Sequence, residues 1–175
     1  MKKLLLITFI GIGMLTGLTA SAQQEEDKSK RPSPPAVVKE TVNGNLTVTI
    51  DYSQPALKGR AIGKELAPYG KPWRTGANET TTFEISKDAK VAGKALPAGK
   101  YSLYSIPNEK EWVFILDKNL ENKGEKPKEE AKEVLRFTVK PVKAPSTMER
   151  MTFKIDKKGI VSLLWGDVQL NFTVK

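Results

Sequence analysis

Apolar and polar side chains alternate with a period of two along most of this chain, the pattern of a strand with one buried face. In "NLTVTIDYS", Leu46, Val48, Ile50 and Tyr52 fall on one side and Thr47, Thr49, Asp51 and Ser53 on the other. The rhythm is weaker in "TTFEIS" at 81–86. It returns in "VLRFTVK" (Leu135, Phe137, Val139), in "MTFKI" (Met151, Phe153, Ile155) and in "VQLNFTV" (Val168, Leu170, Phe172, Val174). "KYSLYSI" and "EWVFIL" are apolar on both faces and read as central strands covered on both sides. Turn residues stand between these runs. Asn43-Gly44 suits a type I′ turn, so residues 37–42 should pair back as a hairpin. Gly93-Lys94 reads as a second tight turn and 107–110 as a third. Lys158-Gly159 and Gly166-Asp167 divide the C-terminal region into three strands of an antiparallel meander.

These signals predict an all-β domain of about eight or nine short strands. Two sheets must bury their apolar faces against each other, which makes an antiparallel β-sandwich, jelly-roll-like, the natural architecture. A closed barrel fits the same pattern. Two segments break the alternation. Residues 54–80 form one long irregular loop, and "ENKGEKPKEEAKE" is a charged insert with room for at most one short helix, starting at Pro127.

The N-terminus reads as an export signal. Lys2 and Lys3 precede an apolar run from Leu4 to Leu18, and Ala20-Ser21-Ala22 offers a small-residue cleavage site before Gln23. The run falls short of the roughly 20 apolar residues that span a bilayer. Residues 1–22 are therefore expected to leave as a signal peptide, with no membrane anchor remaining and the mature chain periplasmic or extracellular. Residues 23–35, "QQEEDKSKRPSPP", read as a flexible, charged, Pro-rich tail, and 36–175 as one domain. The chain has no cysteine, so its fold rests on the core without disulfides. Its formal charge of +9 falls to about +7 without Lys2 and Lys3, but the lysines are interleaved with acids rather than gathered in a stripe. That dispersion argues against a nucleic-acid partner.

The absence of histidine and cysteine removes histidine-assisted nucleophilic catalysis and soft-metal sites. No calcium loop, phosphate loop or dinucleotide fingerprint occurs, and no cofactor or metal is expected. Oxygen chemistry remains: two of Asp51, Glu65 and Glu79 could form a carboxylate pair, with Glu79 or Glu65 as acid/base and Arg74 holding a negatively charged substrate. The stretch "PYGKPWRTGANETT" at 68–81 is the most distinctive in the chain. Tyr69, Trp73, Arg74, Asn78 and Glu79 there combine rings with forked donors and acceptors, as a site for a glycan or another polar ligand does. The same residues could lock a loop, with Trp73 plugging the end of the core and Arg74 paired to Glu79 or to backbone carbonyls. Trp112 and Trp165 sit in strand patterns and read as core.

"RPSPPA", "TIDYSQPALKGR", "PYGKPWRTGANETT", "LPAGKYSLYSIP" and "VLRFTVKP", in this order, resemble a secreted family common in Bacteroidetes, domain of unknown function 2911. The resemblance spans about residues 31–175. It implies an exported all-β domain with Trp73, Arg74, Gly76, Asn78 and Glu79 as hallmark positions, and brings no activity, substrate or cofactor with it. Together the readings point to a non-catalytic exported module that binds a glycan, a cell-envelope polymer or a peptide. A carboxylate-dependent hydrolase and a purely structural domain are the alternatives.

Overall fold

A computed structural model describes residues 26–120 and 133–175; the expected signal peptide and the expected helix at Pro127 lie outside them. The described chain is all-β, with ten strands where the sequence suggested eight or nine. These are β1 (Pro35–Val42), β2 (Leu46–Ser53), β3 (Thr82–Ile85), β4 (Ala89–Val91), β5 (Lys94–Leu96), β6 (Gly99–Ile106), β7 (Trp112–Asp117), β8 (Glu133–Val139), β9 (Val142–Ile155) and β10 (Ile160–Thr173). A single 3-10 turn, Lys28–Lys30, is the helical structure among the described residues.

Six strands pair in the order β1-β2-β3-β6-β7-β8, while β9 pairs with β10 and β4 with β5. The short β4–β5 hairpin extends the second layer. Val91 bridges Val174, and the N–H groups of Lys90 and Ala92 donate to the carbonyls of Lys175 and Thr173. The large sheet ends at β1 and β8 and does not close, so the fold is a sandwich and not a barrel. Its core is filled from both layers. Phe114 and Phe137 of one sheet meet Phe172 of the other at ring centroid distances of 5.5 and 5.1 Å. Each such buried side chain contributes roughly 1.5–3 kcal/mol. As the sequence predicted, β6 and β7 are covered on both faces: Leu103 and Phe114 are buried toward the core, Tyr104 and Ile115 away from it.

The Asn43-Gly44 turn forms as expected, with φ of 48° and 84° and the Asn45 N–H donating to the Val42 carbonyl. Two other turns differ. The β4–β5 turn is centred on Ala92-Gly93 rather than Gly93-Lys94, because Val91 pairs with Lys94 and the two residues between have φ of 49° and 80°. A type I′ turn asks for positive φ at both central residues, and alanine accepts it here at a cost of about 1–2 kcal/mol. Gly166-Asp167 is no turn at all. β10 runs through it unbroken, and its register against β9 shifts on both sides of Gly166. Val161, Leu163 and Trp165 face the core before the shift, Leu170 and Phe172 after it, so the inward positions change from odd to even. A β-bulge does this by letting unequal numbers of residues oppose each other. The expected three-stranded meander is therefore a long two-stranded hairpin.

No strand occurs between Ser53 and Thr82, in keeping with the predicted long loop. The loop is nonetheless fastened to both layers. Ala56 bridges Arg150 on β9, and Trp73 bridges Ser105 on β6.

Candidate functional site

The loop reaches its tip through a tightly determined turn. Trp73 exchanges both backbone hydrogen bonds with Ser105, at 2.7 and 2.8 Å, which continues the large sheet beyond the end of β3. Its ring then stacks on Trp165, with centroids 5.3 Å apart and planes 13° off parallel, and meets the edge of Trp112 at 6.1 Å. Thr75 follows, fully buried at a φ of 51°. A β-branched residue there is a genuine outlier, and the surroundings hold it in place. Its hydroxyl donates to Ser105 Oγ at 2.9 Å, and its carbonyl accepts from Thr81 Oγ1 at 3.1 Å. Gly76 leaves no room for a side chain, since a Cβ would come within 2.6 Å of Thr81 Oγ1 and 3.3 Å of the Ser53 carbonyl. Arg74 closes the turn by donating from Nη1 to the Asn78 carbonyl.

Asn78 and Glu79 project from this tip toward the N-terminal segment. Asn78 Nδ2 donates to the Ser33 carbonyl at 2.8 Å. Glu79 Oε1 accepts from Arg31 Nη1 at 2.7 Å and lies 3.3 Å from Lys28 Nζ. Arg31 turns its other edge to Glu26, with Nε and Nη2 at 2.9 and 2.6 Å from the two carboxylate oxygens. The hydrogen bond from Arg31, helped by Glu79's own N–H and by Lys28, lowers the Glu79 carboxyl to about 2. The same bonds, Glu26's first, push the Arg31 guanidinium up. Composition suggests a flexible tail here. From Glu26 onward the segment follows the surface, held by these contacts and by Arg150 Nη1 donating to the Pro32 carbonyl at 2.8 Å.

Between segment and tip lies a cleft of about 1080 Å³. Glu26, Arg31 and Pro32 of the segment line it together with Asn78, Glu79, Thr80 and Thr82, and with Leu120. It offers carboxylates, hydroxyls and a guanidinium, with an apolar patch from Pro32 and Leu120 and no aromatic ring.

The five side chains predicted as one site are thus divided. Asn78 and Glu79 line the cleft, and Arg74 braces the backbone behind them. Trp73 belongs to the tryptophan cluster at the end of the core. Tyr69, 39% exposed, lays its ring over Gly63, where a Cβ would fall 2.3 Å from Cζ, and lines a smaller cleft with residues 108–111. Arg74 does not pair with Glu79; the partner is a backbone carbonyl, the other option weighed from sequence. Glu65 is drawn to the Ala61 N–H at 3.1 Å, while Asp51 and Glu79 share the lining of a cleft of about 200 Å³ beneath Lys28. Sequence reasoning missed Arg31 and Glu26. They sit in a run whose composition reads as solvated tail, and a partner 48 residues away leaves no local signal.

Among the described residues no group of three or more His, Cys, Asp or Glu could hold a metal ion, and no helix is long and apolar enough to cross a membrane. A family model described as "Protein of unknown function (DUF2911)" matches residues 33–174. No curated protein and no solved structure matches the chain.

Proposed function

Taking as premise that the chain belongs to the DUF2911 family of proteins of unknown function, we propose that it is a non-catalytic, exported binding module. Its ligand is a glycan, a cell-envelope polymer or a peptide, held in the cleft between residues 26–32 and 78–82. The observation that carries this reading is the cleft itself, with Asn78 and Glu79, two positions that the family resemblance singles out, in its lining. A carboxylate held ionised, an amide and two threonine hydroxyls supply acceptors and donors for the hydroxyls or amides of an extended polar chain. The basic start, apolar run and Ala20-Ser21-Ala22 site support export with cleavage before Gln23, as in the secreted Bacteroidetes proteins that the motifs resemble.

A hydrolase working through paired carboxylates needs one of them protonated near neutral pH. Hydrogen bonds lower the Glu26, Glu65 and Glu79 carboxyls alike, which favours the binding reading over the hydrolase. The test is to titrate the mature chain, followed by backbone NMR, with soluble peptidoglycan fragments, neutral glycans and short peptides. One class should shift Asn78, Glu79, Thr80 and Thr82 together, and Glu79→Ala should weaken that binding at least tenfold. If no class moves these resonances at millimolar concentration, the domain has a structural role and the proposal fails.

A further inference from the structure

A peptide already lies along this cleft, and it is the protein's own. Arg31 leaves the 3-10 turn in extended backbone, at φ −63° and ψ 150°, and the chain continues through Pro32, Ser33 and Pro34 into β1. The contacts that hold it are those by which proteins recognise extended peptides. Two read backbone alone: the Asn78 amide on the Ser33 carbonyl and the Arg150 guanidinium on the Pro32 carbonyl, each at 2.8 Å. One reads a side chain, Glu79 accepting the guanidinium of Arg31 at 2.7 Å with Lys28 beside it. A charge-assisted bond of that kind favours a cationic side chain, here arginine. The prolines preset the extended conformation and lower the ordering cost of docking. The Pro34 carbonyl accepts the Gln54 N–H and so prolongs the ladder between β1 and β2. The part that can lift away without disturbing the sheet therefore ends at Ser33. The Glu79 side chain keeps 52% of its surface open, so a competing group can reach it from solvent.

We propose that Asn78, Glu79 and Arg150 form a binding site for an extended, proline-containing, arginine-bearing peptide of another protein, and that residues 26–33 occupy it as a displaceable internal ligand. This rests on the reading of the Asn78–Glu79 wall as a ligand site and names its ligand class; the incoming peptide takes the place of residues 26–33 rather than lying beside them. A tethered segment competes at an effective concentration on the order of millimolar. It raises the apparent dissociation constant of any incoming peptide accordingly, so access is set by how firmly Lys28 and Arg31 are held.

The test uses the mature chain and a fluorescent peptide copied from residues 26–34, followed by anisotropy. Lys28→Ala/Arg31→Ala protein should bind the peptide at least tenfold more tightly than wild type, and adding Glu79→Ala should abolish the gain. A peptide whose arginine is replaced by alanine should bind neither form. Equal binding to wild type and the double variant, or binding that survives Glu79→Ala, overturns the proposal. So does loss of the native circular dichroism spectrum in the double variant, because the segment would then be an integral part of the fold. Envelope fragments that shift Asn78 and Glu79 while the peptide does not bind would remove this inference alone; failure of both would remove the reading beneath it.

Discussion

Arg74 and Glu79 carry charges of opposite sign five residues apart, yet they answer to different partners. Arg74 is half-buried and donates to a carbonyl of its own loop. Its loss removes one charge-assisted bond without stranding a buried carboxylate, so Arg74→Ala should cost about 1 kcal/mol in urea unfolding. A loss of 3 kcal/mol or more would require a buried charge pair absent from this geometry. Glu79 makes the opposite case. Its carboxyl lies at about 2 in the folded protein against an ordinary 4.5, so its pairing stabilises the fold fully above pH 4.5 and is lost as pH falls toward 2. Because the side chain is half exposed, screening limits the effect to about 1 kcal/mol. Wild type should therefore exceed Glu79→Gln by up to that amount at pH 6, and the two should converge as pH falls through about 2. At this scale the sequence is legible where a residue's role is local. Trp73 as a core plug and Asn78 as a turn residue follow from their neighbours, whereas the pairing of Glu79 with Arg31 depends on the two ends of a long excursion meeting.

At the scale of elements, alternation reveals strands because it needs no knowledge of the partner strand. β2, β3, β6, β7 and β8 all lie where period or two-sided burial puts them. The N-terminal half of β9 has no such period. It holds Pro145 and a run of exposed residues, and its pairing with β10 is irregular, so nothing local marks it as strand. The bulge at Gly166 differs from the expected turn for a related reason: a change of phase beside Gly-Asp looks the same whether the chain turns back or continues. Parity supplies a test. Deleting Asp167 alone would put Val168, Leu170 and Phe172 in one unbroken alternation with Val161, Leu163 and Trp165, so the phase change should vanish while native proton NMR dispersion is kept. The neighbouring turn is as strict. A Cβ on Gly159, at φ 80°, would lie 2.1 Å from the Val174 carbonyl, which itself belongs to the chain end held by the Val174 N–H on Gly159. Gly159→Ala should cost about 3 kcal/mol or more in urea unfolding.

Across the whole molecule, with no disulfide available, the two sheets are held together by packing and by the loop that joins their ends. Trp73 is the loop's point of attachment to the core, between Trp165 of β10 and Trp112 of β7. Trp73→Ala should destabilise the fold by about 3 kcal/mol, a value readable from thermal or urea unfolding. Sandwich architecture was legible because the apolar faces of so many strands leave few other ways to be covered. The closure of one end by residues 54–80 was not, since bridges such as Ala56 to Arg150 join distant parts of the chain. The same cluster gives the protein an optical character. It holds all three tryptophans of the chain, so intrinsic emission reports on one end of the sandwich and is blind to events at the β4–β5 hairpin. The near-parallel indoles of Trp73 and Trp165 should couple as an exciton pair. Their circular dichroism couplet would then read out directly whether the long loop is seated.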